Sequence, residues 1–255
     1  MQVVGYEPTG RGAALLVVDD DGRLTRQPLQ PGTELAYALG ERRCAGRIDR
    51  AADRHESCDR LAAPYCEEHA STWICARCTG TCLKDEMDCY DEHAVYIAAF
   101  APTTFKVGVT RLERLETRFR EQGADRGAHV HTVSNGRIAR ELEAEYADAL
   151  PDRVGTPRKV AGLAATVEDA AWESVLADFD VIDRFAFDYG LDLSSRPVAE
   201  TIATGTVVGC KGRLLVIARG GTRYAVDMRD LVGYEVAVGG TDRHLQSSLG
   251  SFGSP

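Results

Sequence analysis

Seven of the eight cysteines fall between residues 44 and 89, and thiols at that density in a segment with little periodic apolar pattern read first as metal ligands. Cys75-x2-Cys78-x3-Cys82-x6-Cys89 places four thiols within reach of one tetrahedral ion. Cys66-x2-His69 is a second chelating pair that Cys44 and Cys58 can complete. Thiolate and imidazole are the ligands zinc prefers, and four of them leave no coordination position open for chemistry, so two structural zinc ions are expected. Spacing leaves the pairing open: His55 or His93 can replace His69 or a cysteine, and an iron–sulfur cluster on Cys75, Cys78, Cys82 and Cys89 competes with zinc. A disulfide framework needs an oxidising compartment. The stretch MQVVGYEPTG has neither a basic n-region nor an apolar h-region, and no run of 18 apolar residues occurs, so a cytoplasmic protein without a membrane partner is expected. Cys210 stands apart and reads as a small buried hydrophobe.

The elements that must hold these ligands come next. Residues 1–40 read as strands (VVGY, AALLVVD, a turn at Asp19 to Gly22, RLTRQPL), and 41–93 is the cysteine-rich region. EHAVYIAAFAPTTFKVGVTR, from Glu92 to Arg111, then gives two short apolar runs joined by Pro-Thr-Thr. In the following RLERLETRFREQG, Leu112, Leu115 and Phe119 make a helical stripe that Gly123 stops, bordered by Arg111, Arg114 and Arg118. GAHVHTV is a third strand on which His129 and His131, two apart, share a face. The helix RIARELEAEYADAL carries Ile138, Ala139, Leu142, Tyr146, Ala149 and Leu150 on one side, with Glu143 and Glu145 flanking that stripe and Glu141 toward water. A further helix spans about Thr166 to Phe179, with Thr166 and Asp169 as a capping box. Strands return after Pro197: TGTVVGC, RLLVIA, YAVDM and YEVAV. No repeat of 20 to 50 residues is visible. The organisation is therefore α+β: N-terminal strands 1–40, a zinc-binding region 41–93, a small α/β domain 94–150, a helical connector 151–196, a β domain or small barrel 197–240 that the N-terminal strands can complete, and a disordered tail 241–255.

Charge is a weaker guide. The net charge is −9, and of 30 basic residues only Lys84, Lys106, Lys159 and Lys211 are lysine, a composition that suits high salt. Residues 106–126 nevertheless carry six basic side chains against four acidic ones, a local positive island.

The run AVYIA, FKVGVTR, Arg118 and EQGA, behind a cysteine-rich region, resembles the family catalogued as domain of unknown function 2797 over most of the chain. Residues 94–150 also look like a divergent GIY-YIG nuclease domain. That resemblance implies that Ala94-Val95-Tyr96 stands at the first motif and Lys106-Val107-Gly108 at the second, with lysine in place of tyrosine. It matches Arg118 to the helix arginine and Glu143 to the metal-binding glutamate, with Glu145 as the alternative. The usual histidine after the helix arginine is absent, and Gln122 lies near its place.

The chemistry so implied is phosphodiester hydrolysis of DNA or RNA. Tyr96 would take a proton from water, Glu143 would hold Mg²⁺ or Mn²⁺, and Arg118 with Lys106 would offset phosphoryl charge. Two of the catalytic-type positions are substituted, which favours binding over cleavage. A phosphate-binding module without catalysis and a protein-interaction scaffold are the alternatives.

Overall fold

The computed structural model describes residues 1–9, 12–49, 54–70, 78, 81–84, 87 and 89–241. The chain forms two compact units, one of Met1–Ser71 with Tyr189–Pro255 and one of Thr72–Asp188. No helix among the described residues is long and apolar enough to cross a membrane.

The first unit begins with a meander of β1 (Gln2–Glu7), β2 (Ala14–Val18) and β3 (Leu24–Pro28). Strand alternation sorts its side chains: Val3, Leu15 and Val17 enter one core with Leu29 and Leu35. Val4, Leu16 and Val18 enter a second core with Ala45 and Val232. The turn between β2 and β3 is held by the Asp19 carboxylate, which accepts from the N–H groups of Asp21 and Arg23. β4 (Glu34–Arg42) follows, then the short hairpin β5 (Arg47–Asp49) and β6 (Arg54–Glu56).

The second unit contains β7 (His93–Phe100), β8 (Thr104–Arg111), α1 (Leu115–Gln122), β9 (Arg126–Val133), α2 (Gly136–Tyr146), α3 (Thr156–Ala161), α4 (Asp169–Leu176) and β10 (Asp183–Ala186). Its antiparallel sheet runs β10-β9-β7-β8. All eight residues of β7 are buried, because both faces of this strand are covered. Val95, Ile97 and Ala99 pack with Ala139, Trp172 and Leu176. Ala94, Tyr96, Ala98 and Phe100 pack with Leu115 and Phe119. Phe119 lies so close to the backbone of Gly127 that a Cβ there would fall 2.4 Å from the ring. Helix α1 ends where its glycine was expected to end it, with Gly123 left-handed at φ 69°.

When the chain re-enters the first unit it forms β11 (Val198–Ala199), β12 (Ala203–Lys211), β13 (Leu214–Arg219), β14 (Thr222–Asp227), a helical turn Met228–Leu231 and β15 (Tyr234–Val238). Strands from both ends of the sequence lie in one sheet ordered β11-β14-β13-β12-β4-β15-β1-β2-β3. Outward from the central β4–β15 pair, that order is the same on both sides apart from β11. The hydrogen bonds repeat as well. Gly32 N–H donates to Val207 O at 2.8 Å, and Gly233 N–H donates to Val3 O at 2.8 Å. Leu29 N–H reaches Ala13 O, and Met228 N–H reaches Arg213 O. Both copies carry a bulge within Val-Val-Gly, at Val3–Gly5 and at Val207–Gly209. The first unit is therefore an internal pseudo-twofold pair of four-stranded repeats with exchanged fourth strands: β4 pairs with β12, and β15 pairs with β1.

Several expectations change. The two copies were invisible as a repeat because a whole second unit separates them. His129 and His131 do not share a face: a register shift opposite Val95 and Tyr96 pairs His131 with Val95 and His129 with Tyr96. Helix α2 packs Ala139, Leu142 and Tyr146 into the core as expected, but Ile138 is exposed and Glu143 is turned inward, and Ala149, beyond the helix, is exposed as well. Helix α4 begins at Asp169 behind Glu168, with no side-chain cap, so Thr166 forms no capping box. Residues 151–196, expected as a helical connector, hold α3 and α4 and also supply β10 to the sheet. The expected tail lies outside the described residues beyond Thr241.

The pseudo-twofold pair makes a sharp comparison between two glycines. Gly32 and Gly233 occupy equivalent turns at φ +86° and +96°. An alanine Cβ at 32 meets nothing within 4 Å, whereas at 233 it falls 2.3 Å from the Arg43 carbonyl oxygen. Gly32→Ala is expected to cost about 1–2 kcal/mol from backbone conformation alone, and Gly233→Ala distinctly more. Denaturant unfolding of the two variants checks the order.

Candidate functional site

Cys44 lies two residues beyond the end of β4, where the strand gives way to the loop that carries the other ligands. Its N–H donates to Arg60 O, and the N–H of Ala45 donates to Pro64 O, so the backbone folds residues 58–66 back over it. Gly46 permits this closure: at φ +64° its missing Cβ would sit 2.0 Å from Glu56 O. The N–H groups of His69 and Ala70 both donate to Cys66 O, forming the tight turn that brings the Cys66-x2-His69 pair together. Buried Gln2 ties the site to the sheet, with its amide donating to Cys44 O and Gly233 O at 3.3 and 3.0 Å.

The resulting ligand atoms of Cys44, Cys58, Cys66 and His69 all lie within 4.8 Å of one another. His69 Nδ1 is 3.4 Å from Cys44 Sγ and 3.2 Å from Cys66 Sγ, and Cys58 Sγ is 4.0 Å from Cys66 Sγ. Tetrahedral zinc with ordinary bond lengths separates sulfurs by about 3.8 Å and sulfur from nitrogen by about 3.5 Å. The set can therefore hold a metal ion such as zinc with little movement. Backbone donors favour the thiolates this requires: Gly46 N–H and Cys66 N–H both point at Cys44 Sγ. Burial works against ionising Cys66, yet the backbone N–H and ring of His69 bring its thiol down to about 6. No described cysteine is in a disulfide.

The other expected set fares differently. Cys75 lies outside the described residues. Among the described residues, Cys78, Cys82 and Cys89 form no second group at ligand spacing. Cys89 and His93 do converge, since a Cβ on Gly136 would meet Cys89 Cβ at 3.2 Å and His93 Nε2 at 2.9 Å. The Nδ1 of His93 is occupied by Asp91 O, and His55 Nε2 by Ala45 O. Cys210 packs against the first unit's main core, where burial pushes its thiol up to about 12.

In the second unit, Tyr96 on β7 stands opposite Gly108, and Ala98 opposite Lys106, so tyrosine and lysine lie on the sheet face covered by α1. Gly108 makes room for the phenol: a Cβ there would lie 2.5 Å from Tyr96 Oη. The ring packs edge-on against Phe119 with centroids 4.8 Å apart. Gln122 Nε2 donates to Tyr96 Oη at 2.7 Å. One turn earlier on α1, Arg118 lies close enough to lower the hydroxyl's pKa, though burial dominates and holds it above its ordinary value.

Lys106 is 8 % exposed, its Nζ donating to Asp152 O at 2.7 Å. Burial first, and Arg118 second, push its ammonium down to about 8, against the pull of Glu143 and Asp152. Glu143, on α2, is also buried, and its charge reaches both Tyr96 and Lys106. Its carboxylate is held 2.5 Å from Arg140 Nη1, so a divalent cation here would compete with a guanidinium already in place. Tyr96, Lys106, Arg118 and Glu143 are thus brought together, while Glu145 is exposed. Sequence reasoning did not assign Arg140 or the Asp152 carbonyl. Arg140, three residues before Glu143 on one helix, was the part that spacing could have revealed.

A family model described as "Protein of unknown function (DUF2797)" matches residues 39–236, a span that includes the four-ligand centre and the whole second unit. No curated protein matches the chain. No solved structure matches it either.

Two substitutions follow from this geometry. Cys66→Ser is expected to lower bound zinc by about one ion per chain, read by elemental analysis after dialysis, and to lower the unfolding temperature. Gly108→Ala should displace the Tyr96 ring and destabilise the protein by about 1–3 kcal/mol, read by denaturant unfolding.

Proposed function

We propose that this chain, which belongs to the DUF2797 family of proteins of unknown function, binds the phosphodiester backbone of nucleic acid at the cluster of Tyr96, Lys106, Arg118 and Glu143. The observation that carries the reading is the concentration of anion-seeking groups there. A half-exposed guanidinium paired with Glu121, a buried ammonium and a phenol gather near Glu143, whose carboxylate is already bonded to Arg140. A phosphate would add counter-charge beside the buried ammonium, whose Nζ is bonded to a neutral backbone carbonyl, Asp152 O. In this reading Arg118 makes the outer phosphate contact, and Lys106 binds as a point charge. The likeness to GIY-YIG nucleases supports the choice of a phosphodiester over another anion.

Hydrolysis is the second reading, favoured by the position of Tyr96 beside the buried Glu143. A bound Mg²⁺ or Mn²⁺ would supply positive charge at the leaving oxygen. Glu143 fits such an ion as one carboxylate of a largely hydrated shell, provided that Arg140 yields. The four-ligand centre is taken to hold a structural zinc. A second zinc is proposed on Cys75, Cys78, Cys82 and Cys89, and iron with sulfide in elemental analysis would overturn that assignment.

Binding is tested by fluorescence anisotropy with labelled single- and double-stranded DNA and RNA in EDTA. Measurements should extend to molar salt, because the acidic, lysine-poor composition suits such conditions. Affinity is expected to fall linearly with the logarithm of salt concentration. Lys106→Ala and Arg118→Ala should each weaken binding about tenfold or more, in line with the loss of a charged hydrogen bond. No binding by any of the four nucleic acids at any salt would sink the reading. Nicking with added Mg²⁺ that Glu143→Ala abolishes while binding remains would establish the hydrolytic reading.

The pH dependence carries its own sign. Lys106 loses its charge near pH 8 in the folded protein against 10.5 for an ordinary lysine. Affinity should therefore decline above about pH 8, and Lys106→Arg should move that decline upward. Between the two values the unfolded chain binds more protons, so the lysine's contribution to stability rises with pH across that interval. Thermal unfolding between pH 7 and 10 checks the second effect in the absence of any ligand.

A further inference from the structure

Gln122 is the last residue of α1, and the nitrogen of its amide is engaged twice. Its Nε2 contacts two oxygens, Tyr96 Oη at 2.7 Å and the backbone carbonyl of Arg118 at 3.1 Å. A backbone carbonyl only accepts, so the atom facing it must be the amide NH₂ and not the amide oxygen. The two hydrogens of that group then point one to Arg118 O and one to Tyr96 Oη. The orientation follows from a partner of unambiguous polarity. The backbone of the same residue is anchored too, with Lys159 Nζ donating to Gln122 O at 2.7 Å and lying over the Phe100 ring.

We infer that Gln122 is a positioning residue that holds Tyr96 as an acceptor, so that the phenolic proton is left for an anion bound beside Arg118 and Lys106. This rests on the anion-binding reading of the same cluster. An amide nitrogen has no basic lone pair, so Gln122 cannot take the tyrosine proton, in contrast to an imidazole in that place. In the neutral state Tyr96 donates to a phosphate oxygen of the bound anion. If it ionises, its proton leaves to the ligand side, and the phenolate keeps the Gln122 donor with Arg118 beside it. Arg118's influence on the hydroxyl agrees with this polarity, since a cation next to the oxygen favours the anion.

The test reads Tyr96 alone among nine tyrosines. The full chain is prepared with 3-fluorotyrosine at position 96, and its ¹⁹F resonance is followed through an alkaline titration. Three versions are compared: Gln122 retained, Gln122→Leu and Gln122→Glu. Removing the donor in Gln122→Leu should raise the ionisation midpoint by about one pH unit, the worth of one hydrogen bond to a charged oxygen. Gln122→Glu, which turns the phenolic proton inward and adds a like charge, should raise it further. Midpoints unchanged in both variants, with circular dichroism showing them folded, would overturn the inference. Should Gln122→Leu fail to fold, Gln122→Glu and Gln122→Met carry the same comparison.

Anisotropy with the nucleic acid that binds best is the second arm. A weakening of about tenfold in Gln122→Glu, with Gln122→Met intermediate, is expected. If the midpoint moves but no nucleic acid binds to the unsubstituted chain, the functional reading fails and the polarity of Tyr96 stands. Binding with an unmoved midpoint gives the reverse result.

Discussion

The antiparallel pairing of β4 with β15 is the constraint on which the first unit depends. It joins two strands nearly 200 residues apart, and each of them also pairs with the first strand of the opposite repeat. Neither repeat satisfies its own edge: β1 needs β15, and β12 needs β4. An unpaired strand edge leaves a row of backbone donors and acceptors without partners, which costs too much to leave buried. The sheet is therefore complete only when both ends of the chain have met. Loop-closure entropy grows only slowly with length, so the long separation is tolerable at equilibrium. Its weight falls on the rate, since contacts so distant in sequence must form before they are rewarded.

The metal centre is coupled to that closure. Cys44 sits immediately beyond β4, and Gln2 on β1 bonds at once to Cys44 O and to Gly233 O just before β15. One buried amide thus links the ligand loop to the meeting point of the repeats. The loop from Arg43 to Ala70 has little apolar material of its own: Ala45 is buried, but Leu61 is 80 % exposed. An ion held by the four ligand atoms would provide what that composition withholds, because metal binding at such a site becomes folding free energy. The two backbone donors to Cys44 Sγ, the N–H groups of Gly46 and Cys66, are placed by this loop, so ligand geometry and loop geometry are a single property.

How far the sequence was legible varies with the range of the interaction. Cys66-x2-His69 was readable because one turn of backbone brings the two groups together. Their grouping with Cys44 and Cys58 was readable because few other ligands compete. The end of α1 at Gly123 was local for the same reason. Long-range features were not readable: Val3-Val4-Gly5 and Val207-Val208-Gly209 are alike in three letters, and only their bulges and hydrogen bonds reveal the equivalence. β10 escaped notice because DRFA has three residues with exposed side chains and pairs on one side only. Helical periodicity placed Glu143 beside the apolar stripe, but not its burial, which depends on how α2 is rotated against β8.

A lysine at position 106, in place of a phenol, sets what the second cluster is physically disposed to do. A phenol at that place would be neutral near pH 7 and able to exchange a proton. A lysine held near 8 remains mostly charged there and acts as a fixed cation. Arg118 and Arg140 add two more charges, paired with Glu121 and Glu143. At an effective dielectric of about 20, a unit pair 4 Å apart contributes about 4 kcal/mol, so each uncompensated repulsion in this group is of the order of a folding increment. The lysine is depressed first by burial and second by Arg118, and losing its proton relieves both. An anion entering the cluster relieves the repulsion without proton loss and draws the lysine back toward its charged form. Under the proposed binding reading, the protonation of Lys106 is the property of this arrangement that a bound anion would shift most.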